Sequence, residues 1–93
     1  MPYKTGEMVI CQIENYSTFT GLLVNPDLIV VSIEDPNGSV MITEEVPTND
    51  STGKYHYNYE ISDAAAKGMY KITWKAKKNF ITTKTTDTFE VVS

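Results

Sequence analysis

Apolar and polar residues alternate with a two-residue period through most of this 93-residue chain. That period predicts strands, because successive side chains on a strand point to opposite faces. The clearest instance runs from Met69 to Lys77, where Tyr70, Ile72, Trp74 and Ala76 alternate with Lys71, Thr73, Lys75 and Lys77. Asp63, a run of three alanines at 64–66 and Gly68 precede it, and Ala64 to Ala66 is long enough for one helical turn. A buried phenol needs a partner for its polar tip. The expectation is that Tyr70 anchors this corner, its hydroxyl returning to backbone near residues 62–66 and its ring joining Trp74 in the core.

The same pattern predicts the remaining elements. Met8 to Tyr16 places Val9, Cys11 and Ile13 on one face against Gln12 and Glu14, with Ile10 interrupting the polar face. Leu22 to Val24, among Gly21, Asn25 and Pro26, is read as a brief edge segment. Leu28 to Glu34 is a strand with Ile29, Val31 and Ile33 in phase, and Asp35-Pro36-Asn37-Gly38 supplies turn chemistry that ends it. Ser39 to Val46 is weaker, because Glu44 and Glu45 dilute it, and belongs at an edge. Pro47 to Gly53 shows no periodicity and is read as a polar loop. In Lys54 to Ile61, Tyr55, Tyr57, Tyr59 and Ile61 share a face. Lys78-Asn79 marks a reversal, and Thr-rich Phe80 to Val92 favours extended backbone, with Phe89 and Val91 inward.

Short strands spaced by turns, with no sustained helical period, indicate an all-β protein, and the predicted core contains Val31, Ile33, Tyr70, Ile72, Trp74 and Phe89. Residues 1–93 make one domain, long enough to bury a core without disulfide or metal staples. Gly6-Glu7-Met8-Val9, the run Ile29 to Gly38, Gly53-Lys54-Tyr55-His56-Tyr57, and Gly68 through Trp74 resemble, in that order, prokaryotic immunoglobulin-like domains. The resemblance is to the MG2-type domains of macroglobulin-like proteins and to small single-domain proteins encoded among phage and prophage structural genes. It spans nearly the whole chain and rests on turn and core residues. It implies an Ig-like antiparallel β-sandwich of six to seven strands, acting as a structural or adhesive module, and it brings no catalytic residues with it.

Hydrophobic content of 41% excludes a disordered chain, and the longest aliphatic run, Leu28 to Val31, is too short to span a bilayer. Met1 to Glu7 holds no apolar run of signal-peptide type, so a cytoplasmic or virion location is expected. The net charge of −4 is segregated: residues 1–63 hold ten acids against Lys4 and Lys54, and residues 64–93 hold six lysines against Asp87 and Glu90. All basic residues are lysine, which argues against a nucleic-acid reader, since none can make the bidentate contacts of arginine. Cys11 stands alone in an apolar strand and is read as a buried thiol.

Candidate chemistry is sparse. Asp27, Glu34, Asp35 and Asn37 are oxygen donors without calcium-loop spacing, and a plain β-turn is the favoured reading. His56 is the sole histidine and is read as a surface residue. The adjacent carboxylates Glu34-Asp35 and Glu44-Glu45 point to opposite faces of a strand, which suits no acid/base pair. Tyr55, Tyr57 and Tyr59 form a candidate sugar-stacking row whose phase with Ile61 assigns it to the core. Asn15-Tyr16-Ser17 and Asn49-Asp50-Ser51 match the glycosylation pattern. The expectation is a protein that is not an enzyme and needs no cofactor or metal, and that contacts other subunits, either its own copies or a particle shell protein. The candidate surface is Lys71, Lys75, Lys77, Val30 and Met41, with no nucleic acid bound and no membrane insertion.

Overall fold

The computed structural model describes residues 2–17, 20–78 and 80–92. Eight strands and no helix occur among them: β1 (Tyr3–Lys4), β2 (Met8–Glu14), β3 (Leu28–Glu34), β4 (Val40–Glu45), β5 (Thr48–Ser51), β6 (Lys54–Glu60), β7 (Gly68–Lys78) and β8 (Ile81–Val92). They form a five-stranded sheet in the order β1-β8-β7-β3-β4 and a three-stranded sheet in the order β2-β6-β5. Every pairing is antiparallel except that of β1, whose Tyr3 and Lys4 run parallel to Val91 and Val92.

The strand count therefore exceeds the six to seven expected, and the sheet is not purely antiparallel. Part of the excess is β5, which occupies what the sequence presents as a loop. Thr48-Asn49-Asp50-Ser51 is polar on both faces and exposed throughout, so it pairs through backbone and polar side chains and leaves no hydrophobic period to read. The alanine run makes no helical turn; Ala65 N donates to Ser62 O at 3.0 Å within a short non-helical turn. Leu23 makes a single bridge to Tyr16 in place of an edge strand. The reversal assigned to Lys78-Asn79 joins β7 to β8, with Lys78 opposite Ile81; Asn79 lies outside the described residues.

One core is shared by the two sheets. Ile29, Val31, Ile33, Tyr70, Ile72, Trp74, Ala76, Phe89 and Val91 from the larger sheet meet Val9, Cys11 and Tyr55 from the smaller, with Ile61 just past β6. Tyr70 is 1% exposed, and its hydroxyl donates to the Ala66 carbonyl at 2.7 Å. Its ring stacks on Phe89 at 5.1 Å, and Tyr3 meets Phe89 edge-on at 5.9 Å. Gly53 ties the β5–β6 turn to the connection after β2. Its amide donates to Asn25 Oδ1 at 2.7 Å and its carbonyl accepts from Asn15 N at 2.7 Å. With φ at +74° and backbone within 3 Å of where a Cβ would sit, only glycine fits there.

Candidate interaction surfaces at the sheet edges

Lys71, Thr73, Lys75 and Lys77 lie on the outer face of β7, opposite Glu34, Ser32, Val30 and Leu28 of β3 and opposite Thr88, Thr86, Lys84 and Thr82 of β8. The structure thus gathers Lys84 into the lysine row. Part of that row is already engaged, because Lys75 Nζ lies 3.8 Å from Glu44 of β4, two strands away. To get there the lysine stem crosses β3 beside Val30, its register partner. Val30 is accordingly 9% exposed, which corrects its assignment to the interaction surface: methylene stems cover apolar neighbours while their ammonium groups stay wet. Met41, Lys71 and Lys77 remain exposed.

Each sheet has two edges, and these face each other in pairs on the two sides of the molecule. On one side stand β4 and β5. The β3–β4 register slips twice, and Glu44 lies at φ +45° with its amide taken by Ser32 Oγ at 3.1 Å. The β5–β6 register slips between Asn49 and Ser51, and Asp50 Oδ1 sits 2.6 Å from His56 Nδ1. His56 is thus a partly exposed residue paired with Asp50. Glu45 pairs with fully buried Val31 and so lies on the inner side of its edge. Its carboxylate, after burial, pushes the Tyr57 phenol up. Bulges and an inward charge both hinder addition of another strand. The β4 edge is therefore blunted.

On the other side stand β2 and β8. The β2–β6 ladder runs seven residue pairs and the β7–β8 ladder eleven pairs, neither with a slip. Beyond Val91 and Val92, which β1 covers, no strand among the described residues pairs with the outer edge of β8 from Ile81 to Glu90. Between β2 and β8 lies a cleft of about 360 Å³ with Cys11, Ile72, Trp74 and Phe89 in its lining and Asp87 and Tyr3 at its rim. Thr83 and Thr85 are exposed although they share the core-facing side of the sheet with Ala76 and Trp74. Strand β8 overhangs the smaller sheet there. Burial first, and Asp87 second, push the Cys11 thiol up to about 11.

The remaining candidates resolve into structural roles. Asp27 and Glu34–Asp35 stand at opposite ends of β3, with Asp27 3.5 Å from Lys78 Nζ. Asp35 Oδ1 accepts from Asn37 N at 2.9 Å and Ser39 N at 2.8 Å, so this carboxylate builds the turn. No three His, Cys, Asp or Glu residues among those described are grouped to hold a metal. Tyr55 is buried, and Tyr57 and Tyr59 pack half-buried against the core. The side-chain amides of Asn15 and Asn49 donate to backbone carbonyls, of Val24 and of Ser51 and Lys54 respectively. What sequence reasoning missed is the contrast between edges, which no residue pattern announces. No family model matches the chain, and comparison with curated proteins and with solved structures gives no significant match. No helix among the described residues is long and apolar enough to cross a membrane.

Proposed function

We propose that this protein is a non-enzymatic Ig-like structural module that works by contact between chains, as an accessory component of a phage or archaeal-virus particle or its prophage remnant. The strand order supports the Ig-like reading. With β2, β6 and β5 as strands B, E and D, and β8, β7, β3 and β4 as G, F, C and C′, the two sheets carry the order of a variable-type sandwich. Tyr70 opening the F-like strand with its hydroxyl on Ala66 O matches the tyrosine corner of that architecture. Two departures stand beside it. Trp74 sits on the F-like strand where Ig domains carry the core tryptophan on C, and Cys11 has no partner cysteine with which to form the B–F disulfide.

The observation that carries the functional reading is the long, regular, unpaired edge of β8 beside the open cleft. An exposed edge is a template for another chain. Particle membership rests on the resemblance to single-domain proteins of phage structural regions. Mass spectrometry of purified particles from the source, with light scattering of the isolated protein across concentration and salt, tests it. The second reading is a module of a larger cell-surface or adhesive protein with carbohydrate as ligand, which rests on the adhesive members of the resembling group, since the tyrosines of β6 are taken up by the core. A strictly monomeric protein that is absent from particles and retained on a glycan column would replace the first reading with the second.

A further inference from the structure

We infer that the free edge of β8 is a homodimer interface, in which two copies pair β8 to β8 antiparallel about a two-fold axis at Thr85 and each lays Phe80 on the outer face of the other, beside the partner's Glu90 and Met69. This deepens the assembly reading above and rests on it.

Four observations converge. The available edge is bounded at one end by the β7–β8 turn and at the other by β1 at Val91. In an antiparallel pair, residues facing each other share a face of the sheet. A two-fold axis at Thr85 then places Lys84 opposite the partner's Thr86, Thr82 opposite the partner's Thr88 and Phe80 opposite the partner's Glu90. This is the longest register that leaves β1 in place. Moving the axis one step to Thr86 would set Phe80 against the partner's Val92, a position that Lys4 of that copy already occupies.

Phe80 is the second observation. It is 95% exposed, the most exposed large hydrophobic side chain among the described residues, and it sits at φ +68°, a conformation L residues seldom adopt. A phenylalanine held in such a turn and bare to water contributes nothing to its own fold. In the proposed register it lies opposite the partner's Glu90 on the outer face of the sheet, next to the partner's exposed Met69, which pairs with Glu90. An aromatic side chain that covers exposed apolar surface on its partner is a common energetic centre of an interface.

The third observation is the composition of the strand. Threonine fills most positions from Thr82 to Thr88, cross-strand threonine pairs are favourable, and no like charges fall directly opposite each other in this register. Asp87 meets the partner's Thr83, a hydroxyl donor for a carboxylate on the rim of the cleft. The two Lys84 residues meet only diagonally, a mild repulsion that holds the dimer weak. Fourth, Thr88 N donates to Asp87 Oδ1 at 2.8 Å, so this amide faces the free edge and is satisfied from within until a partner arrives. By the two-residue period, the amide of Thr86 faces the same way.

Cysteine cross-linking reads the register directly. In a dimer paired about Thr85, the two Thr85 side chains face each other at about 4.5–5.5 Å between Cβ atoms, close enough for a disulfide after small adjustment. Buried Cys11 leaves the background silent. Thr85→Cys should give a covalent dimer under mild oxidant, whereas Thr82→Cys, which faces threonine, should give little. Equal cross-linking at both sites, or none at Thr85→Cys at millimolar protein, overturns the inference. Phe80→Ser should weaken wild-type association in analytical ultracentrifugation by about tenfold or more. Lys84→Thr should strengthen it, and added salt should do the same. Thr86→Pro removes a donor only from the free edge, where proline is tolerated; it should abolish the dimer while Trp74 fluorescence stays native. A chain found in particles whose Thr85→Cys variant stays monomeric loses this interface and keeps the particle role. A chain that cross-links at Thr85→Cys and never enters particles does the reverse.

Discussion

The two sides of this protein handle the same problem in opposite ways. On the β4/β5 side the backbone itself is irregular, with register slips in both strands, Glu44 at positive φ and its amide capped by Ser32. On the β2/β8 side both ladders are unbroken and a cleft lies open between them. Each side carries one carboxylate on its inner rim, Glu45 facing Tyr57 and Asp87 facing Cys11. Inward charge therefore does not distinguish them. Backbone geometry does, and a strand can add only where backbone donors and acceptors continue in register. The difference identifies the side on which contact with another chain is least hindered.

The largest effect should come from the floor of the open cleft. Trp74→Ala should cost about 3–5 kcal/mol, enough to unfold a domain of this size under ordinary conditions. The variant leaves a cavity that water enters from the cleft, so collapse around it cannot recover the loss. Denaturant titration followed by far-ultraviolet circular dichroism measures it; a variant that melts near wild type would mean that the cleft wall stands without its tryptophan. Tyr70→Phe removes only the bond to Ala66, and should cost about 1–2 kcal/mol without altering either edge. A larger loss would mean that the corner positions more than itself.

The blunted side offers the converse test. Ser32→Ala removes the hydroxyl that takes the Glu44 amide, at a cost of about 0.5–1.5 kcal/mol. The expected consequence is faster hydrogen exchange at Glu44 and its neighbours, with β8 unchanged. If self-association rises in this variant, the bulge was holding the β4 edge closed.

How much of this was legible in the sequence depends on what each residue touches. Strand β3 has the bounds its alternation predicts, Leu28 to Glu34, because Ile29, Val31 and Ile33 are buried while most of the intervening residues are polar or half-exposed. Strand β7 was equally readable, and the window for the Tyr70 hydroxyl included Ala66. Strand β5 was not, because a strand held by backbone pairing and polar side-chain contacts has no apolar period. Val30 was misplaced for a different reason: its cover comes from the lysine stem of β7 reaching for β4, a contact between three strands that a linear pattern does not encode. The register slips around Glu44 and the free edge of β8 are likewise relations between strands. Thr-rich composition marked β8 as extended and said nothing about which of its edges would lack a neighbour.

The smallest predicted effect separates the two rims chemically. Only the thiolate reacts with alkylating reagents, and Cys11 in the folded protein holds its proton up to about pH 11 against an ordinary value of 9.0. At pH 8.5 few molecules carry the thiolate, and labelling should quicken about tenfold for each pH unit until the thiol titrates. Asp87 is the second cause of the shift after burial. Asp87→Asn should therefore lower the thiol's pKa and speed labelling at fixed pH, while Glu45→Gln on the opposite rim should leave the rate unchanged. The same shift has a consequence for stability. A thiol whose folded value exceeds its unfolded one keeps its full contribution below pH 9 and loses it as pH rises toward 11, because the unfolded chain then releases the proton first. Asp87→Asn narrows that window, so the variant should lose less stability than wild type between those pH values. An equal response of Cys11 to both carboxylate changes would show that the thiol senses net charge and not the rim beside it, and would remove the chemical distinction between the two sides.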